Sequence, residues 1–173
     1  MPKLTTVSPF AHEISGLRDR ASGLMRGTPQ PNSADICALL QVLLEAEIVC
    51  ARRYGALAKA QLEGGHDQLG ARFLEQADDE CQHALKLGAR IEELGGQPFG
   101  MADDGPDSVV ESGRLEIVAA NILGERAVIK LYRAALRYLS GRDRISRALL
   151  MTLLADEERH ITGMGDMVSR RTH

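Results

Sequence analysis

Glu47, the run Glu80-Cys81-Gln82-His83, Glu125 and the run Glu157-Glu158-Arg159-His160 write one pattern twice in 173 residues: a lone carboxylate, then Glu-x-x-His. Glu47 precedes Glu80 by 33 residues, and Glu125 precedes Glu157 by 32. A chain that repeats acidic and imidazole groups with nearly one period needs a fold that gathers the copies or leaves them all in water.

Helix breakers divide the chain into five helical stretches. Ser8-Pro9 makes an N-cap and first turn, and Phe10, Ile14, Leu17, Ala21 and Leu24 recur at helical spacing up to Gly27, so a short amphipathic helix is predicted there. Thr28 to Ser33, with two prolines, is a linker. Helix A is expected from about Ala34 to Leu62, stopped by Gly64-Gly65, and helix B from about Asp67 to Leu94, stopped by Gly95-Gly96. The stretch 97–107 holds two prolines and two glycines and reads as a loop. Ser108-Val109-Val110-Glu111 is a capping box opening helix C, which ends near Gly141, and helix D fills about Asp143 to Arg170. Nothing reads as a strand. The expected architecture is all-α: a short N-terminal helix and linker (residues 1–33), then an antiparallel four-helix bundle (34–173) with a long crossover between B and C.

Register makes the opening pattern specific. The apolar seam of helix A runs Ile36, Leu40, Leu43, Glu47, Cys50, Tyr54, Leu57, and that of helix C runs Leu115, Val118, Ile122, Glu125, Ile129, Tyr132, Leu136, Leu139. Helix D repeats it with Leu150, Leu153, Glu157, His160, Met164 and Met167, and helix B more loosely with Leu69, Phe73, Glu80, His83, Leu87, Ile91 and Leu94. Buried without partners, four glutamates would each cost several kcal/mol even after relaxation, so a cationic group has to offset them. No seam position supplies Lys or Arg.

The turns then bring these groups to one height. Measured from the A–B turn, Glu47 lies about 27 Å along its helix and Glu80 about 22 Å; from the C–D turn, Glu125 and Glu157 each lie about 24 Å away. Residues 95–107, extended, reach roughly 43–47 Å, enough for a full-length crossover that makes B and C parallel. Two Glu and two Glu-x-x-His directed inward from four helices is the arrangement of di-iron and di-manganese carboxylate bundles. The i, i+3 spacing sets each Glu and His on one face, four carboxylates balance two divalent cations, and mixed carboxylate and imidazole ligands suit iron or manganese. The alternative is a metal-free polar network, which requires every partner to be satisfied.

At these residues the chain resembles the ferritin-like superfamily, closest to bacterioferritins and to Dps-like ferritins with a bacterioferritin-type site, over about Ile36 to Met167. The resemblance implies Glu47 and Glu125 as terminal ligands, Glu80 and Glu157 as bridging carboxylates, and His83 and His160 each on one iron. It extends to Asp79 and Asp156, which would accept from the imidazoles and fix their tautomer, with solvated surface acids as the alternative. Tyr54 and Tyr132, each seven residues after a terminal Glu, would hydrogen-bond near the metals or pack as ordinary half-buried rings.

Departures from the family pattern carry their own expectations. Bacterioferritins place a haem-ligating Met directly after the bridging Glu of helix B; Cys81 stands there, so haem is not expected. Only 13 residues follow His160, too few for the fifth helix of 24-subunit cages, which favours a homo-oligomer of 12 subunits or fewer. The N-terminal helix docks either on a neighbour or on the outside of its own bundle. Cys37, Cys50 and Cys81 lack C-x-x-C or zinc-type spacing and read as reduced thiols, with a Cys50–Cys81 bridge disfavoured by an axial offset of about 6 Å. His12, His66 and His173 fall off the seams and read as surface residues, and Asp103-Asp104-Gly105-Pro106-Asp107 reads as a solvated loop.

The implied activity is a ferroxidase: two irons per chain, Fe(II) oxidised by dioxygen or hydrogen peroxide, for iron storage and detoxification, the six Glu and His residues serving as both metal ligands and catalytic groups. The alternative is a di-iron oxygenase or hydroxylase acting on an organic substrate. A rubrerythrin-like peroxidase is disfavoured by the absence of rubredoxin-type cysteine pairs, and a structural bundle with a relic site by the intact ligand set. A net charge of -3 gives no electrostatic footprint for nucleic acid. The N-terminus has no signal-peptide order and the longest apolar stretch, 148–155, is far too short for a bilayer, so the expected location is cytoplasmic, away from membranes.

Overall fold

The computed structural model describes residues 8–100 and 113–169, with no side chains described at 114 or 165–169. Five helices account for nearly all of it: α1 Pro9–Gly27, α2 Ser33–Glu63, α3 Asp67–Glu93, α4 Arg114–Tyr138 and α5 Arg144–Ser169. No strand occurs among the described residues. The predicted capping box at Ser108 and Glu111 and the acidic stretch 103–107 lie outside them.

The helix ends follow from local chemistry. Asn32 and Asp35 cap α2 reciprocally, Asp35 N–H donating to Asn32 Oδ1 at 3.0 Å and Asn32 N–H to Asp35 Oδ2 at 2.9 Å, which starts the helix one residue before the predicted Ala34. Gly65, Gly95 and Gly141 turn the chain out of α2, α3 and α4 at φ of 75°, 83° and 73°, a backbone region that glycine occupies without strain. Asp143 caps α5, accepting from the backbone of Ile145 and Ser146 at 3.0 Å each, and also receives Arg90 from the far end of α3 at 3.1 Å. One carboxylate therefore starts a helix and pins it to its neighbour. Ser8, read as an N-cap, precedes α1 as expected, but its hydroxyl makes no capping bond; Pro9 alone shapes that first turn.

Short turns at 64–66 and 139–143 fold α2 onto α3 and α4 onto α5 as antiparallel hairpins, and the two hairpins pack as a four-helix bundle. The seam of α2 is buried throughout, from Ile36 to Leu57. The seam of α4 departs at its first member: Leu115 is 62% exposed, so the packed length begins at Ile117 and Val118. A second buried stripe, Ile117, Asn121, Gly124, Val128, Leu131 and Ala135, runs beside the first. A helix buried on two faces has a second neighbour, and here it is α1, which lies across α2 and α4 of its own bundle.

Phe10 is the anchor of that docking. Its ring rests on Gly124 so closely that a Cβ there would lie 1.9 Å from Cε1. The Arg53 guanidinium stacks over the same ring at 5.5 Å from its centroid, and its Nε donates to Asn121 Oδ1 at 3.1 Å. Arg20 of α1 pairs with Glu45 of α2, and the Tyr138 hydroxyl donates to the Thr28 carbonyl at the other end. Among the described residues, no helix is long and apolar enough to cross a membrane.

Candidate metal centre

Each of the four bundle helices delivers a glutamate to one level of the interior. Glu47 from α2, Glu80 from α3, Glu125 from α4 and Glu157 from α5 are each 0% exposed. His83 and His160, one turn beyond Glu80 and Glu157 on the same faces, complete the group, and their rings are stacked at 21° to one another with centroids 6.1 Å apart. All six residues singled out by the repeat converge here.

The ligand atoms fall into two sets. Glu47, Glu80, His83 and Glu157 offer one atom each within 4.8 Å of one another, and so do Glu80, Glu125, Glu157 and His160. Glu80 and Glu157 belong to both. The Glu157 carboxylate turns Oε1 to His83 Nδ1 at 2.8 Å and Oε2 to His160 Nδ1 at 3.5 Å, while Glu80 turns Oε2 to His83 Nδ1 at 3.3 Å and Oε1 to His160 Nδ1 at 3.1 Å. A carboxylate that gives one oxygen to each of two centres has bridging geometry, whereas Glu47 and Glu125 each face one set. Both oxygens of Glu80 and of Glu157, Glu125 Oε2 and His160 Nδ1 are buried without a well-aligned hydrogen bond. Buried lone pairs that converge unsatisfied fit a pair of divalent cations, since every orphaned atom is of a type that ligates one.

The surrounding groups are crossed between hairpins. Tyr54 of α2 donates its hydroxyl to Glu125 of α4, and Tyr132 of α4 donates to Glu47 of α2; both tyrosines are fully buried. Seven residues span about 10 Å of helix, so this exchange requires α2 and α4 to run antiparallel. The aspartates cross as well: Asp156 of α5 faces His83 Nε2 at 3.3 Å, and Asp79 of α3 faces His160 Nε2 at 3.4 Å. With Nε2–H directed at a carboxylate, each imidazole turns Nδ1 toward the glutamates. Spacing along one helix placed both aspartates beside the histidines but left open which histidine each would meet.

Electrostatics of the bare cluster follow from crowding. Burial, then the charge of Glu157, pushes the Glu47 and Glu125 carboxyls well above their usual range. Burial works to lower both imidazoles, yet the bonds of His83 to Glu157, Glu47 and Glu80 outweigh it and carry that ring up to about 12, and bonds to Glu157 and Glu80 carry His160 up to about 11. Burial would raise Glu157 too, but His160 and His83 hold it down to about 2. Without metal, the imidazolium protons serve as the counter-charge. Cys50, fully buried one turn from Glu47, has its thiol pushed up by burial and then by Glu125, Glu80, Glu47 and Glu157.

Other candidates lie elsewhere. Cys81 is exposed beside Glu80, Cys37 is half-buried, and all three cysteines are free. His12 and His66 are exposed, and His173 lies outside the described residues. One polar residue of the α3 seam escaped the sequence reading: Gln76, buried four residues before Glu80, continues the 3–4 spacing of Phe73, Glu80 and His83. That spacing was the signal that could have found it.

Comparison with known proteins agrees with this geometry. The Ferritin family, described as a ferritin-like domain, matches residues 37–172. A bacterioferritin of Rhodobacter capsulatus is 28% identical over 137 residues, covering 79% of this chain and 84% of the relative. A solved structure of Rhodobacter capsulatus bacterioferritin, described as having a metal-free dinuclear site and heme iron, superposes with a TM-score of 0.71 at 27% identity, over 79% of this chain and 84% of that one. Helix α1 lies ahead of the matched region.

Proposed function

Because the chain belongs to the ferritin family through its ferritin-like domain, we propose that it binds two Fe(II) ions at the buried Glu and His cluster and oxidises them, with dioxygen or hydrogen peroxide as acceptor, in the service of iron storage and detoxification. The observation that carries this reading is the sharing of Glu80 and Glu157 between two four-residue ligand sets. Iron supplies the one-electron chemistry when bound; what the chain supplies is position and charge.

Glu80 and Glu157 hold the two ions close, and Glu47 and Glu125 close the outer positions. Tyr132 and Tyr54 fix one oxygen of each outer carboxylate by hydrogen bonding, so that the other stays directed at its ion. Asp156 and Asp79 accept from Nε2 of His83 and His160 and keep the ligating Nδ1 free of a proton. Four carboxylates neutralise two dications, and the apolar seam above and below excludes bulk water. Manganese would satisfy the same donors. Haem has no part in the reading: the residue after Glu80 is Cys81, an exposed thiol in place of a thioether.

A storage role also requires assembly, and we read the protein as a homo-oligomeric shell of 12 subunits or fewer. Anaerobic Fe(II) titration followed by either oxidant should show about two irons oxidised per chain, as expected for a two-metal site. Glu80→Ala and Glu157→Ala should each abolish this; undiminished oxidation in both would show the assignment to be wrong. A native mass of one or two chains would favour the alternative, a hydroxylase acting on an organic substrate.

A further inference from the structure

The two outer carboxylates are not held alike. Glu47 accepts from the Tyr132 hydroxyl and also faces His83 Nδ1 at 3.3 Å. Glu125 accepts from the Tyr54 hydroxyl at Oε1, and its Oε2 is buried without a partner. The direction of Glu125 therefore follows that of Tyr54. Two rings fix Tyr54 in turn: Phe73 of α3 stacks on it at 14° with centroids 6.1 Å apart, and Phe10 of α1 meets it edge to face at 72° and 6.5 Å. Tyr132, which serves Glu47, has no aromatic ring stacked on it or set edge-on to it among the described residues.

We propose that Phe10 is a positioning residue for Glu125, and that α1 through it sets how tightly the metal position made by Glu80, Glu125, Glu157 and His160 binds, leaving the position of Glu47 and His83 unchanged. The inference rests on the two-metal reading above. Phe10 touches both supports of Glu125: its ring lies on Gly124, the residue immediately before that ligand, and packs against Tyr54, which aims it. The Arg53 guanidinium covers the Phe10 ring at 5.5 Å from its centroid and is itself tied to Asn121, which keeps the ring on its seat. A carboxylate already aimed when the ion arrives loses less freedom on binding it. One edge-to-face ring contact changes an equilibrium by a factor of about two to twelve. Glu80 and Glu157 serve both positions, so a looser bundle weakens both, whereas a misdirected Glu125 weakens one. Helix α1 precedes residues 37–172, the region matched by the Ferritin family, so this control is an addition to that domain.

Anaerobic Co(II) titration of the full chain, followed by visible absorption, provides the test. Glu47→Ala leaves the Glu125 position with its full ligand set, and Glu125→Ala leaves the Glu47 position with its own. Adding Phe10→Ala should weaken Co(II) binding about fivefold in the first background and change it by less than about twofold in the second. Tyr54→Phe should weaken the Glu125 position to a similar extent, and Phe10→Ala on top of it should add less than about twofold, since the two residues act along one path. Phe10→Leu, which keeps an apolar side chain at the seat and presents no ring to Tyr54, should repeat the one-sided loss, and it decides the matter if Phe10→Ala does not fold. With all six ligands intact, Phe10→Ala should still fill both positions at saturation. Equal weakening in both backgrounds, or none in either, would overturn the proposal, and full additivity with Tyr54→Phe would overturn the route through Tyr54. In metal-free protein, ring flips of isotope-labelled tyrosine, assigned with Tyr54→Phe and Tyr132→Phe, should be faster at Tyr54 in Phe10→Ala and unchanged at Tyr132. A wild-type protein that binds no Co(II) overturns the two-metal reading instead, and the ring flips then decide by themselves whether Phe10 positions Tyr54: flips as slow in Phe10→Ala as in the wild type would overturn it.

Discussion

Glu47 and Glu125 are the residues least suited to their surroundings, and each is held by a tyrosine from the other hairpin. Tyr54→Phe or Tyr132→Phe leaves a buried carboxylate oxygen without its donor, which should cost about 1–3 kcal/mol in the metal-free protein and less once a cation is bound. Chemical denaturation with and without Zn(II) checks both values. The bare cluster also makes stability depend on pH in a definite sense. His83 and His160 are raised from 6.5 to about 12 and about 11, so the stabilisation they bring is whole below about pH 6.5 and is lost as pH rises toward those values. Glu157 is lowered from 4.5 to about 2, so its contribution is present above about 4.5 and is lost as pH falls toward 2. Glu47 and Glu125, raised, add a loss that already begins as pH rises above their ordinary 4.5. In chelator, Tm should fall steadily from about pH 6.5 upward, and two bound dications should remove most of that fall, because they replace the imidazolium protons as counter-charge. For the same reason, loading the centre near pH 7 should release at least two protons per chain, one from each imidazole, measurable by pH-stat.

At the scale of helices, α1 is the unit whose placement depends most on one contact. Phe10→Ala removes a ring that is 4% exposed and seated on Gly124, a change worth about 3–5 kcal/mol in a packed core. Gly124→Leu fills the seat from the other side. Both should release α1 to proteolysis within residues 9–27 while leaving two-metal binding at the centre intact; loss of metal binding would show that α1 supports the bundle itself. Helix existence and most helix ends were legible in the sequence because breakers and 3–4 periodicity are local signals, as at Gly64-Gly65 and Gly95-Gly96; the Asn32–Asp35 cap was not read, and α4 starts at Arg114 after an extended Gly113 and not at the capping box expected at Ser108. The convergence of the six ligand residues was legible for a related reason: seam position and distance from a turn are both read along one chain. What was not legible was pairing across helices. Nothing in the spacing of Tyr54 or Asp79 tells which neighbour each faces, nothing in Gly124 tells that Phe10 will fill it, and Leu115 fits the seam by spacing although the packed length of α4 starts only at Ile117 and Val118.

For the molecule as a whole, the decisive measurement is native mass, since a closed shell and a small oligomer assign the same cluster to different ends. The arrangement of ligands has a further consequence for how the chain holds together. Each candidate metal position would take three residues from one hairpin and one from the other: Glu47, Glu80 and His83 with Glu157, then Glu125, Glu157 and His160 with Glu80. Neither hairpin alone owns a complete set, so a bound pair of cations would act as a clasp between two half-molecules that α1 already spans. A chain severed within the crossover between α3 and α4 should therefore hold its halves together more weakly in chelator than with a divalent ion added, with cation concentration setting the strength of the joint.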